Sequence, residues 1–128
     1  MRDLYSNIGV VQALAPAVQT AAGDGVVIDL LGYNRVAFML NTGVVAGDGD
    51  FGVKVQESDT SISGDFTDAS AAVIDTNASA TLAASSAYKL GYRGYKRYVR
   101  LVLTKTGGTS IVAGAVAILG DAASRPVD

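Results

Sequence analysis

The chain has 128 residues, close to half of them apolar, with a formal net charge of −2 and neither cysteine nor histidine. That length fits one domain burying roughly two-thirds of its unfolded surface, in a composition that folds. The missing residue types exclude a disulfide framework, a Cys or His metal centre, a thiol nucleophile and a Ser-His-Asp triad. No apolar run approaches the ~20 residues needed to span a bilayer.

In chain order, "MRDLYSN" at 1–7 reads as a short polar arm carrying Arg2 and two apolar anchors, Leu4 and Tyr5. The small-residue "ALAPA" that follows echoes a signal peptide, but Asp3 spoils the positive end and Gln12 breaks the apolar stretch, so no processing is expected. From there the texture is short β-branched runs separated by Gly, Asp, Asn and Ser, the pattern of an all-β domain. Strands are expected at 10–15, 26–30, 35–41, 51–57, 72–75, 87–92, 98–104 and 111–119. Turn chemistry falls between them at "AAGDG" (21–25), "GYN" (32–34), "AGDGD" (46–50), "SDTSISGD" (58–65) and "KTGG" (105–108). Eight strands at this spacing point to a sandwich or barrel. The Ala-rich "TNASATLAASSA" at 76–87 reads as a loop, and "DAASRPVD" at 121–128 as a polar tail whose Pro126 cannot join an interior strand. Segments 36–58 and 99–119 both run strand, Thr-Gly, loop, strand, and read as two hairpins of similar design. The apolar set is weighted toward Ala and Val, with three Phe and no Trp. At about 25 cal/mol per Å² of buried apolar area such side chains make a thin core, one that suits support from partner subunits.

Charge is segregated: nine of the twelve acids lie between Asp24 and Asp75, and six of the ten bases between Lys89 and Lys105. Such asymmetry suits contacts between copies or with a charged partner. The basic stretch "YKLGYRGYKRYVRLVL" (88–103) also holds four of the six tyrosines, an interleaving that single-strand nucleic-acid binders use. Alternation along a strand puts Val99, Leu101 and Leu103 on one face and Tyr98, Arg100, Val102 and Thr104 on the other, the first being core. "GYRGYKR", with two glycines in four residues, reads as a connection, placing Arg93, Lys96 and Arg97 on a loop at one end of the domain. An acidic chain whose bases fill one loop and one strand lacks a continuous groove for phosphates, so nucleic acid is not expected.

Other chemistries find no footing. "GDGD" (47–50) and "DTSISGDFTD" (59–68) offer hard oxygen ligands, but the second has Ser70 where an EF-hand loop needs its bidentate Glu. The carboxylates that would be paired for glycoside hydrolysis, Asp48, Asp50, Glu57, Asp59, Asp65 and Asp68, fall mostly in expected turns. No glycine run matches a phosphate-binding loop. No catalytic residue, cofactor site or metal site is expected, and the chain reads as a non-enzyme.

Five stretches form a recognisable set: "NIGVVQALAPAV" (7–18), "NTGVVAGDGDFGVKVQESD" (41–59), "DFTDA" (65–69), "GYKRYVRLVLTKTGGTSIVAGAVAILG" (94–120) and a tail ending "RPV". Together they resemble the capsid cement, or decoration, proteins of tailed bacteriophages, small structural proteins encoded near the major capsid protein. The resemblance implies a jelly-roll-like β-sandwich of about eight antiparallel strands on the outside of an icosahedral shell. There it would bridge subunits of the major capsid protein, often as a homo-oligomeric dimer or trimer. It implies a virion location after synthesis in the host cytoplasm, with no membrane, nucleic acid or cofactor. "SDTSIS" (58–63) departs from the shorter, glycine-containing turn of that pattern. The expected contact elements are the arm (Arg2, Leu4, Tyr5) and the basic loop with its following strand (Arg93, Lys96, Arg97, Arg100). Charge reversal at Arg93 and Arg97 is then expected to weaken attachment with the fold intact. Alternative roles are a carbohydrate-binding or adhesion module, with Tyr88, Tyr92, Tyr95 and Tyr98 stacking sugars, and a tail or neck component of the virion.

Overall fold

The structure, a computed structural model, describes residues 3–122. Its strands are β1 (Gly9–Gln19), β2 (Gly23–Asp24), β3 (Ile28–Asp29), β4 (Tyr33–Ala46), β5 (Asp50–Ser58), β6 (Thr67–Asp68), β7 (Ile74–Thr76), β8 (Ala87–Tyr92), β9 (Tyr98–Gly107) and β10 (Ser110–Ala122). All pair antiparallel, in two five-stranded sheets packed as a sandwich. The first runs β1-β10-β4-β8-β7; the second runs β2-β9-β5-β6, with β3 beside β2 on the same edge of β9.

The pairings nest. β1 lies against β10, β2 and β3 against β9, β4 against β8 and β5 against β6. The chain is thus one long hairpin with its tip at 59–66, rolled until β10 also meets β4 and β9 also meets β5. Because β4 and β5 lie in different sheets, as do β9 and β10, the two segments that resemble hairpins in sequence are arches between sheets. They lie side by side, and their turns interlock: Ala46 faces Ser110 and Asp50 faces Gly107. Gly108, at φ +79°, presses its Cα on the backbone of Asp48 and Gly49, where no side chain fits. Asp48 itself turns at φ +56°.

All eight expected strands have counterparts, and two short ones are added. Gly23–Asp24, expected as turn, pairs with Leu103 and Val102, and Thr67–Asp68 pairs with Glu57 and Gln56. Two residues pairing on the edge of an existing strand need no periodicity of their own. β1 is longer than its apolar run because bulges between Gln12 and Leu14 and between Leu14 and Ala17 carry it past Pro16.

The core lies between the sheets. Phe38, Leu40, Phe51, Val99, Leu101, Leu103 and Ile111 are fully buried, and Ala113, Ala115 and Ala117 pave the inner face of β10. Small residues on that central strand are where the Phe38 and Phe51 rings find room. The alternation expected of β9 holds, but Arg100 and Val102 on its outer face are buried too. The 76–86 loop is part of the core: Leu82 is buried, its N–H bonds the Phe51 carbonyl, and Thr42 Oγ1 donates to the Ala83 carbonyl at 2.6 Å. The loop covers the stretch of β5 edge that β6 leaves open.

Candidate interaction surface

One end of the sandwich gathers the segments singled out from the sequence. There β1 and β4 begin and β8 and β10 finish: Gly9 pairs with Leu119, Tyr33 with Ala122 and Val36 with Tyr92. The arm closes into a single 3-10 turn (Tyr5–Asn7) against β10, with Ser6 N–H on Asp3 Oδ1 and Asn7 Nδ2 on the Asp3 carbonyl. The 93–97 loop and the 30–32 turn meet at the same end, where Leu30 N–H donates to the Arg97 carbonyl at 2.8 Å.

Tyr92 props up the basic loop. Its buried hydroxyl donates to Glu57 Oε1 at 2.6 Å and accepts from Lys96 N–H at 3.1 Å. Burial, reinforced by the Glu57 carboxylate, pushes that hydroxyl far above the usual tyrosine range, so it stays a donor. Gly94 lies directly on the ring and hydroxyl, leaving no room for a Cβ, so the loop requires its glycine for close approach.

Each cation of the cluster finds an acid within the chain. Arg93 forks onto Asp75 (Nε–Oδ2 2.7 Å, Nη2–Oδ1 3.2 Å) and also donates to the Ala72 carbonyl. Lys96 Nζ meets Asp59 Oδ2 at 2.8 Å. Arg97 forks onto Asp29, both contacts at 2.9 Å, which holds that carboxyl down at about 2. The same hydrogen bonds raise Lys96 and Arg97 above their ordinary values. These pairs are largely exposed, so each adds little to stability. Their effect is geometric: they tie the 93–97 loop to the 29–32, 59–66 and 72–75 segments. The segregation of acids and bases along the chain is therefore resolved inside one molecule, by nested strands that bring the two blocks together. Charge reversal at Arg93 or Arg97 would set like charges side by side within the chain, so a loss of attachment would not separate contact from fold.

Arg100 lies elsewhere. It is on the outer face of the second sheet, as alternation requires, but only 6% exposed. The 59–66 loop folds back over it: Nη1 donates to Ser63 Oγ and Nε to Gln56 Oε1, both at 2.9 Å, while the guanidinium stacks 4.4 Å from the Phe66 ring centre. Asp24 Oδ2 is 3.5 Å from Nη1. A partner cannot reach this side chain without lifting the loop. Arg2 lies outside the described residues.

Beside these exposed ion pairs, the end also presents large apolar side chains. Leu4 is 59% exposed, Tyr5 84%, Leu31 69% and Tyr95 90%. Leu31 carried no signal in the sequence, because the second leucine of a pair beside a Gly-Tyr-Asn turn reads as strand end. Of the four clustered tyrosines only Tyr95 is largely exposed, with Lys96 Nζ 5.4 Å from its ring centre: Tyr92 is buried, Tyr88 packs on the core and accepts from Ala83 N–H, and Tyr98 is half-buried under Arg97. The acids of the turns are separately engaged, Asp50 by Thr81, Asp65 by Thr60 and Asp68 by Lys54 and Gln56. Among the described residues no three acidic side chains gather to hold a metal ion. An open trough of about 900 Å³ on the outer face of the first sheet is lined by Met39, Val112, Val116 and Pro16, with Lys89 as its charged group. No helix among the described residues is long and apolar enough to cross a membrane. A scan against models of protein families and a search of curated proteins each found no match.

Proposed function

We propose that this chain is a non-enzymatic structural virion protein that binds the outside of a bacteriophage capsid and stabilises the shell by bridging capsid subunits. The observation that carries the reading is the placement of the N-terminal arm and the 93–97 loop at one end of a β-sandwich, with Leu4, Tyr5 and Tyr95 presented outward. A shell-binding protein needs one face whose contacts are modest singly and multiplied by symmetry, and a rigid sandwich displaying loops at one end supplies it. We read the nested strand pairing as a jelly roll, in keeping with the resemblance of the sequence to capsid cement proteins. The partner is the major capsid protein, and the chain sits on the shell as a dimer or trimer. The carbohydrate alternative needs an aromatic platform, and with Tyr92 buried and Tyr88 turned into the core the cluster gives it one largely exposed ring.

The test is co-sedimentation of the purified chain with shells assembled without it, beside size exclusion of the free chain. Saturable binding at a fixed ratio to capsid subunits is the expected result. Shells that sediment bare at saturating protein would overturn the reading and direct attention to tail assemblies and glycans.

A further inference from the structure

The two sheets differ in what their outer faces carry. On the second, alternation turns Lys54, Gln56, Arg100 and Thr104 outward, and the 59–66 loop of the same chain folds across Arg100. The first sheet has no such cover among the described residues, and its outer face is apolar. β10 buries Ala113, Ala115 and Ala117 and turns Val112, Gly114, Val116 and Ile118 outward, so it is apolar on both sides, as strands packed on both faces are. Val10 and Val18 of β1 stand beside them, exposed like Val112 and Val116. In the middle of this face Lys89 is the one charged group, and it has no ion pair among the described residues. Arg35 and Asp75 lie at its margins, paired with Asp121 and Arg93.

The strand register makes this face complementary to itself. Outward residues fall in rows across the sheet: Val10, Ile118, Ala37 and Gly91 in one, Gln12, Val116, Met39 and Lys89 in the next. A half-turn about an axis running along the strands, between β10 and β4, lays each row on the same row of a second copy in reverse. Ile118 then meets the partner's Ala37 and Val10 the partner's Gly91, large on small. Val116 meets the partner's Met39 over the open trough of the face. Lys89 meets the partner's Gln12, whose amide oxygen accepts from the ammonium. The two Lys89 side chains stand at opposite margins, about 14 Å apart at ~4.8 Å per strand. A half-turn about an axis across the strands would instead stack β8 on β8 and bring the two lysines together. Twisted sheets are saddles, and the half-turn along the strands lays saddle on saddle, the aligned packing of sandwiches. Four strands over residues 112–120 of β10 span on the order of 600 Å² per copy, ~1,200 Å² in total, where specific interfaces begin.

We infer that the outer face of the first sheet is the interface between two copies of this chain, stacked about a two-fold axis parallel to the strands. That axis keeps both N-terminal arms and both 93–97 loops at one end of the dimer, so the two copies offer the same end to one surface. The use of that geometry on a shell rests on the capsid reading; the pairing of the two copies does not.

Sedimentation equilibrium of the full chain from about 1 to about 100 µM is expected to fit a monomer–dimer equilibrium. Val116→Glu, at an exposed position, is expected to keep the parent's circular dichroism and weaken the dimer at least about hundredfold, because each interface then buries two carboxylates. The chain has no cysteine, so single introduced cysteines report the geometry. Gln12→Cys chains mixed with Lys89→Cys chains are expected to join through a disulfide on mild oxidation, while neither variant joins to itself. A parent that stays monomeric or forms a trimer overturns the inference. So does a Val116→Glu chain that dimerises like the parent, a cysteine mixture that fails to join, or a Gln12→Cys chain that joins to itself. Co-sedimentation with shells decides the other reading separately. A monomer that coats shells leaves the capsid proposal standing without this interface, and a dimer that leaves them bare overturns the capsid proposal and keeps the interface.

Discussion

Arg100 is the residue whose place in sequence and place in structure differ most in meaning, and Arg100→Met isolates the difference. Methionine retains an apolar stem of similar reach and removes the guanidinium. Lost with it are two hydrogen bonds to a charged donor, each worth ~1.5–3 kcal/mol where desolvated, and a stack on Phe66 worth ~0.5–2 kcal/mol. Offsetting this, the side chain is only 6% exposed, so the variant no longer desolvates a charge. Asp24 is half-exposed and rehydrates on losing its 3.5 Å contact, so that ion pair adds little. The net expectation is a loss of about 2–4 kcal/mol, a large part of the ~5–15 kcal/mol typical of a domain, with a Tm lower by roughly 10 °C. Urea unfolding followed by circular dichroism measures the first. Amide exchange measures its location, since Ser63 is a latch of the 59–66 loop: the N–H groups of Thr60 and Ile62, bonded to Ser58 Oγ and Thr60 Oγ1, should exchange faster than those of the β9–β5 ladder. A loss below about 1 kcal/mol with unchanged exchange in the loop would refute the placement of Arg100 beneath it.

Four further outcomes follow from particular contacts. Tyr92→Phe strands Glu57 and the Lys96 N–H, and should destabilise by about 1–3 kcal/mol in thermal melts; Gly94→Ala, which drives a Cβ into the same ring, should cost a similar amount, and a neutral result at either would contradict the packing of the loop on Tyr92. Gly108→Ala meets both a φ of +79° and the backbone of the neighbouring turn, so a loss exceeding the ~1 kcal/mol of an ordinary glycine replacement is expected in urea titrations, together with weakened exchange protection at the 46–50 turn. For pH, the Asp29 carboxyl is depressed from an ordinary 3.8 to about 2, so its contribution is complete above pH 3.8 and is lost as pH falls through about 2. With both partners nearly half exposed that contribution is discounted to about 1 kcal/mol or less. The stability gap between the parent and Asp29→Asn should therefore be present at pH 6 and much smaller at pH 2, and a gap of the same size at both would show that Arg97 does not act on this carboxylate.

The strands were legible because each carries its own local signal. Val, Ile, Leu and Phe alternate along β4, β5, β9 and β10, glycine and aspartate break them, and burying one face of a pleat needs only that alternation. The inward set of β9, the end position of "GYRGYKR" and the loop character of 76–86 were readable on the same ground. The sequence could not say which strands share a sheet. Residues 36–58 and 99–119 look like hairpins because a hairpin and an arch use the same turn residues, and the choice is made by whether the outgoing strand finds its partner across the turn or two strands away. That choice decided the fate of the charges. An acid block at 24–75 and a basic block at 89–105 are equally suited to a neighbour or to each other, and only the nesting of β2 and β3 on β9 and of β7 on β8 puts Asp29 beside Arg97 and Asp75 beside Arg93. Likewise "SDTSISGD" is plainly a loop in sequence, yet that it folds down over Arg100 instead of standing off into solvent depends on a sheet face assembled from distant strands. Local chemistry determined where the chain extends and turns; long-range pairing alone determined which polar groups were spent inside the molecule and which apolar ones were left outside, because ion pairs and covering loops depend on distances that no spacing along the chain encodes.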